Sequence, residues 1–338
     1  MKRQLWIGII VLTLVLTACG KKETTGDVTN SDTKNTAASG PKAPKVIKFG
    51  VQPSLQPPYI AEKEGFFKEI ETKYKTKIEF VKFDSGGPEN SALAAGELSW
   101  AQYGMAPAIV GMDKADSLLT AIDILEQTAV IAGPSVTSLA DLKGKTVGFP
   151  GKGSQQYPLM LKALEKAGMK EDDINLISMD ASNMATALAN KEISAFIAWD
   201  PHTTKAVQSG AGKILVRAEQ IMPLKEGHYL GEGVVVKRDF AKQYPELTQD
   251  IVKAIEKANG YIVAHPDELP ALWSDAIGLD PNIIKFSLDN KMSIFVEDIK
   301  PDAQALKPYI EMLNQYGVTQ IADVDKFLGE HILTADAG

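Results

Sequence analysis

From residue 45 onward the chain alternates short apolar runs with longer amphipathic stretches. "KVIKFGV" (45–51), "KIEFVKF" (77–83) and "LSWAQYG" (98–104) are rich in β-branched and aromatic residues and read as strands. The same texture marks "LLTAIDIL" (118–125), "TAVIAG" (128–133), "KTVGFP" (145–150) and "INLISM" (174–179). It returns in "ISAFIAW" (193–199), "KILVRA" (213–218) and "GEGVVVK" (231–237). Past Arg238 the period changes. Ile251, Ala254, Ile255, Ala258 and Ile262 recur at helical spacing, and the remainder reads as mostly helical. Strands alternating with helices predict an α/β fold with largely parallel sheets.

The residues just past the strands add to this. Asp84-Ser85-Gly86-Gly87-Pro88 comes after the second run, and Met105-Ala106-Pro107 after the third. "GKGSQQYP" (151–158) succeeds "KTVGFP", and Asp200-Pro201 succeeds "ISAFIAW". Each pairs a strand end with a small or capping residue and a proline near a first helical turn. Helices are therefore expected to start at the carboxyl ends of strands, the edge where open α/β sheets bind ligands. Free N–H groups at such starts favour anions. Taken singly, each is also an ordinary strand-to-helix turn; four of them converging predict a cleft.

The first 45 residues have a different character. Met1 to Gln4 is a short basic start, and Leu5 to Ala18 is almost wholly apolar. That run is short of the roughly 20 residues a membrane-spanning helix needs, and has the length of a secretory leader core. It ends at Cys19, the single cysteine, so no internal disulfide is available. Leu16-Thr17-Ala18-Cys19 resembles the lipobox of bacterial lipoproteins. The resemblance implies cleavage before Cys19, lipidation of its sulfur, and an extracytoplasmic, membrane-anchored protein. Residues 20–45 hold no aromatic residue and one large aliphatic, Val28, and read as a flexible linker. A coil of that length spans about 25–30 Å.

The remaining residues approach the size at which one core divides, so two lobes are expected. Net charge is −7, and −9 once Lys2 and Arg3 leave with a leader, which argues against nucleic acid as a partner. "GFPGKGSQQ" fits neither phosphate-loop nor dinucleotide spacing, because a glycine separates Lys152 from Ser154. His202, His228, His265 and His331 show no metal-binding spacing, and no G-x-S-x-G elbow is present. No cofactor is called for.

"FIAWDPHTTKA" (196–206), "SLADLKGKTVGFPGKGS" (138–154), "YIAEKEGFFKE" (59–69) and "YPELTQDIVKAIEKANGYIVAHPDEL" (244–269) together carry a resemblance. Over Lys45 to about Val318 the chain resembles solute-binding proteins of ABC importers, in the group that binds sulfonates, taurine, nitrate and pyrimidine precursors. The resemblance implies a two-lobed periplasmic-binding-protein type II fold: two mixed or mostly parallel sheets flanked by helices, with a two-strand hinge. The crossings are expected near Ile131–Ser135 and Gly231–Val235. Residues 46–133 with 234–338 would form one lobe and 134–233 the other. By the same resemblance, ligand contacts correspond to Gln52, Ser54, Ser85, Gly86, Tyr103, Gly104, Met105, Ser154, Gln155, Asn183, Trp199 and Asp200. Glu232, at the second crossing, is a further candidate. A small-molecule solute and a membrane permease are the implied partners, and a monomer is expected.

The cysteine-rich motif carried by enzyme relatives of the pyrimidine-precursor binders is absent. Arginine is scarce: Arg3, Arg217 and Arg238 are the only ones, and none falls in a cleft loop. A dianion usually recruits bidentate arginine. Helix starts, hydroxyls and amides, with Lys152 as the nearest cation, suit a monoanion or a zwitterion instead. Asp200 and Glu232 could receive an ammonium group, Asp200 being equally a candidate helix cap. Trp199, Tyr103 and Tyr59 could supply an apolar wall or core. A compact amino-sulfonate is the first expectation for the ligand, an aromatic or heterocyclic anion the second. An enzyme using His202 as a base, or a sensor presenting the bound state, are the competing functions.

Overall fold

The computed structural model describes residues 43–333; the leader, Cys19 and most of the linker lie outside them. In chain order the strands are β1 (Val46–Val51), β2 (Lys77–Lys82), β3 (Trp100–Gly104), β4 (Ser117–Glu126), β5 (Thr128–Ala132) and β6 (Thr146–Phe149). They continue with β7 (Asn175–Ser178), β8 (Ala195–Trp199), β9 (Lys213–Arg217), β10 (Leu230–Lys237) and β11 (Ser293–Phe295). Every run read as a strand is one. β11 was not anticipated, because three residues are too few for a period to show.

Two mixed sheets result. The first has the order β11-β4-β10-β3-β1-β2, the second β7-β6-β8-β5-β9. β1 pairs in parallel with β2 and β3, and β6 with β7 and β8. One strand breaks each parallel set: β10 runs antiparallel to β3 and β4, and β5 antiparallel to β8 and β9.

The alternation of side chains builds the core. Along β10, Val234 and Val236 face one apolar cluster and Val235 another. Both faces of the first sheet are covered, so all ten residues of β4 are buried. Helices Pro57–Lys63, Phe66–Tyr74, Pro245–Ala264 and Leu269–Ile277 cover one face. Helices Gly86–Ala94 and Met105–Lys114 lie against the other.

The crossings differ from those expected. The chain changes sheets between Glu126 and Thr128, ahead of Ile131–Ser135, and β5 lies wholly in the second sheet. The return precedes Leu230, and Gly231–Val235 lies entirely in the first sheet. Glu126 and Gln127 both take left-handed φ, 67° and 71°, a reversal that no glycine announces in the sequence. The carboxyl-terminal part also touches the second lobe. Just past helix Ala303–Gln315, Tyr316 donates its hydroxyl to Glu165, on second-lobe helix Gln156–Lys166, and Gln315 donates to the same carboxylate at 3.0 Å.

Gly231 makes the return possible. A Cβ there would stand 2.4 Å from the carbonyl oxygen of Glu126 and 2.8 Å from that of Ile124. Backbone cannot yield as a side chain can. Gly231→Ala is expected to destabilise the protein by about 1–3 kcal/mol in urea unfolding; an unchanged midpoint would refute this account of the crossing.

Candidate functional site

Three helices aim their amino ends at one point between the sheets. Gly86–Ala94 and Met105–Lys114 come from the first sheet, and Gln156–Lys166 from the second. Each follows a strand and carries a proline in its first turn, as expected, but none of the three is capped by a side-chain hydrogen bond. The cavity among them is lined by Gln52, Ser85, Gly86, Gly104, Pro107, Gln127, Ser154, Gln155, Gln156, Trp199 and Glu232. Its volume is about 20 Å³, little more than one water occupies. The lobes approach each other closely here, Gly153 standing against Gly87.

Eight of the expected contacts therefore share one cavity: Gln52, Ser85, Gly86, Gly104, Ser154, Gln155, Trp199 and Glu232. Five do not line it. Ser54 is buried beneath Glu232, its hydroxyl 3.5 Å from the carboxylate. The Tyr103 ring is core, with its hydroxyl donating to Asn90 at 2.9 Å. Met105 sends its side chain into the core and presents only its N–H. Asn183 is exposed in the first turn of helix Ala181–Ala189. The fifth is Asp200. Tyr59, weighed as a wall, is core as well and donates to the Gln52 carbonyl at 3.2 Å.

Asp200 is the main correction. It is fully buried, and its oxygens accept from the hydroxyls of Thr204, Ser287 and Ser293. Ser293 belongs to β11 of the first sheet, whereas Asp200 follows β8 of the second. The residue is a tie between lobes, neither a ligand for an ammonium group nor a helix cap. His202 has no partner for Nδ1, meets Trp199 edge-on at 5.1 Å, and burial lowers its pKa to about 4. It lines no part of the cavity. Lys152 turns outward, over the Tyr157 ring and 4.0 Å from Glu171. With Lys114 it borders an outer, mostly apolar recess of about 270 Å³.

Pro107, Gln127 and Gln156 were not anticipated. Pro107 and Gln156 sit in loops already singled out, one turn or one residue along. Gln127 belongs to a crossing that falls earlier in the chain than expected.

The electrostatics divide the cavity. Helix amino ends supply partial positive charge and free N–H groups. The floor is acidic. Glu232 accepts from Gln56 Nε2 at 2.7 Å and Gln102 Nε2 at 3.2 Å. Glu89, fully buried, accepts from Gln52 at 2.9 Å through one oxygen, and its other oxygen has no partner. Asp123, on the strand beside β10, has no partner for either oxygen. Among the described residues no lysine or arginine pairs with any of the three. Burial pushes all three carboxyls up from their ordinary range; the charge of Glu232 adds to this for Glu89 and Asp123.

At the first crossing, Glu126 accepts the backbone N–H of Tyr229 at 2.6 Å and of Glu219 at 3.2 Å. The His228 ring stands 3.5 Å from it. Ligand atoms of Glu126, Glu219 and His228 lie within 4.8 Å of one another, a grouping no spacing in the sequence shows. Both Glu126 oxygens are engaged by backbone, so the group ties the two crossings. Burial, and then the nearby Glu219 charge, push the Glu126 carboxyl up to about 8.

The chain belongs to the NMT1/THI5-like family, whose model matches residues 52–269. A Bacillus subtilis (strain 168) protein named for aliphatic sulfonate binding is 28% identical, over 84% of this chain and 82% of its own. The taurine-binding periplasmic protein of Escherichia coli (strain K12) is 25% identical, over 65% of this chain and 68% of its own. The structure resembles the alkanesulfonate-binding protein SsuA of Xanthomonas axonopodis pv. citri, bound to MOPS. That match has a TM-score of 0.71 and 20% identity, over 83% of this chain and 96% of that one. It also resembles the Candida albicans CA3427 product, described as having the generic periplasmic binding protein fold. There the TM-score is 0.66 and the identity 18%, over 87% of this chain and 99% of that one. This chain has that fold.

The buried carboxyls predict a pH dependence. A carboxyl whose pKa rises on folding binds its proton more tightly when folded. Its contribution is complete below the ordinary carboxylate range and is lost as pH climbs through the raised value. His202 acts oppositely, its contribution growing from pH 4 to 6.5 and then constant. Between pH 6.5 and 8 the acidic groups act alone among these, so the melting temperature is expected to fall. Gln at position 126 removes the group raised to about 8, so Glu126→Gln should flatten the slope. A slope that is flat in the parent protein, or equally steep in the variant, would contradict this.

Proposed function

We propose that this protein is the extracytoplasmic solute-binding component of an ABC importer. It captures a small sulfonate-type anion or zwitterion between its lobes and presents it to a membrane permease. The observation that carries this is the cavity itself. Three helix amino ends meet over a floor whose carboxylate, Glu232, has no basic partner. The helix ends offer donors to an anionic oxygen. Glu232 offers a charge to an ammonium group, and Trp199 an apolar wall. Among the described residues no arginine lines the cavity, which suits one negative charge better than two. The names of the relatives support the same class of solute.

The reading is of a binding protein, not an enzyme: the relatives are named for binding, and His202 and Asp200 stand outside the cavity, Asp200 engaged elsewhere. Capture requires only that closed and open states differ in ligand affinity. Cys19 would be lipidated and hold the protein at the outer face of the membrane, the linker giving it reach to the permease. Among the described residues no helix is long and apolar enough to cross a membrane.

Taurine is expected to raise the melting temperature. The stabilisation is about 2.7 kcal/mol at 100-fold excess over Kd. Glu232→Gln should weaken taurine about 10-fold or more and leave ethanesulfonate nearly unchanged by calorimetry. No response to either sulfonate would remove the ligand class, and equal losses for both would remove the role of Glu232. In cells, Cys19→Ala should move the protein from the membrane fraction to the soluble one. If it stays with the membrane, another segment is the anchor.

A further inference from the structure

The small volume of the cavity has a specific cause. Gln155 is buried, and its side chain reaches from the second lobe to the first. Its Oε1 accepts the N–H of Met105, the first residue of helix Met105–Lys114, at 3.0 Å. The Tyr309 hydroxyl stands 3.5 Å from the same oxygen. Its Nε2 donates to Thr128 Oγ1, in the second sheet, at 3.2 Å. The amide lies flat on Gly104, where a Cβ would meet the Gln155 Cδ at 2.8 Å and the Oε1 at 3.0 Å. At the rim, Gly153 and Gly87 face each other so closely that a Cβ on Gly153 would stand 3.3 Å from the Gly87 Cα. One polar side chain thus accepts from one lobe and donates to the other.

A bridging ligand would do the same. A second residue of the cavity is unsatisfied: Trp199 lines it, is buried, and among the described residues has no partner for Nε1–H. The amide of Gln155 satisfies Met105 and leaves Trp199 without an acceptor. Bonds to an ionised acceptor are about twice as strong as neutral ones, and a helix amino end adds to that preference. A sulfonate-type oxygen can therefore displace the amide oxygen, whereas a neutral one has little to gain.

We infer that the Gln155 side chain is a built-in stand-in for the ligand's anionic oxygen. It holds the lobes together in the ligand-free protein and gives up the Met105 N–H when ligand enters, the incoming oxygens taking the Met105 and Trp199 donors. This rests on the reading of the ligand as a sulfonate-type anion. Gln155 then sets a threshold that every ligand must exceed. Removing it frees the lobes to open and speeds entry, since only the open fraction admits ligand.

The test uses ligand-free scattering and stopped-flow tryptophan fluorescence with ethanesulfonate as probe, on the whole protein and two variants. Gln155→Ala should have a larger radius of gyration without ligand and associate about fivefold faster. Gln155→Glu puts a charged acceptor on the Met105 N–H. It should stay compact and bind ethanesulfonate at least about 10-fold more weakly. Should Gln155→Ala fold poorly, Gln155→Asn, one methylene too short to reach, takes its place with the same expectations. A Gln155→Ala or Gln155→Asn protein as compact as the parent overturns the inference, as does unchanged or slower association. Expansion without sulfonate binding to any form upholds the latch and removes only the ligand class.

Discussion

The structure depends on a two-residue reversal. Glu126 and Gln127 both turn to positive φ, and the chain passes from the first sheet to the second within that step. Neither residue is glycine, so the conformation is held from outside. The Glu126 carboxylate does this by accepting backbone N–H groups from Glu219 and Tyr229, on the segment that leads back. One buried side chain therefore fixes both crossings. The consequence reaches the cavity directly. Gln127 lines it, and Thr128, the next residue, receives the amides of Gln155 and Gln156.

A second tie works from the other side. Asp200 follows β8 in the second sheet and is held by Ser287 and Ser293, the latter in the first sheet's edge strand. Its place beside the cavity wall, one residue after Trp199, makes it resemble a ligand group. Its burial and three hydroxyl partners make it a joint. The lobes are thus linked at crossings, at Asp200 and through the helix Ala303–Gln315, while the Gln155 contact and the Gly87–Gly153 rim join them at the cavity.

The cavity sets unlike electrostatics face to face. Helix amino ends attract negative charge, and their donors need no counter-ion inside the fold. The carboxyls of Glu89, Asp123 and Glu232 lie on or behind the floor, and the partners they have are amides and a hydroxyl. Burial raises the pKa of each, so a cation placed beside them would favour the charged form.

Strand positions, the α/β class and the helix starts at strand ends were legible in the chain because each depends on local chemistry. Period-2 apolar runs, capping residues and proline act within a few residues of themselves. The family pattern located eight of the cavity residues for the same reason: they belong to short loops at strand ends. What the chain by itself left open depends on contacts between distant segments. The three residues of β11 are a strand because β4 offers them an edge. The crossing at Glu126 exists because Glu219 and Tyr229 return to it. Asp200 is a joint because Ser287 and Ser293 fold over it, more than eighty residues further on. Gln155 reaches Met105 because the fold brings loops of the two sheets together. Sequence determined which segments carry the loops that line the cavity; only tertiary packing decided which side chains line it, since burial and partnership belong to the assembled fold.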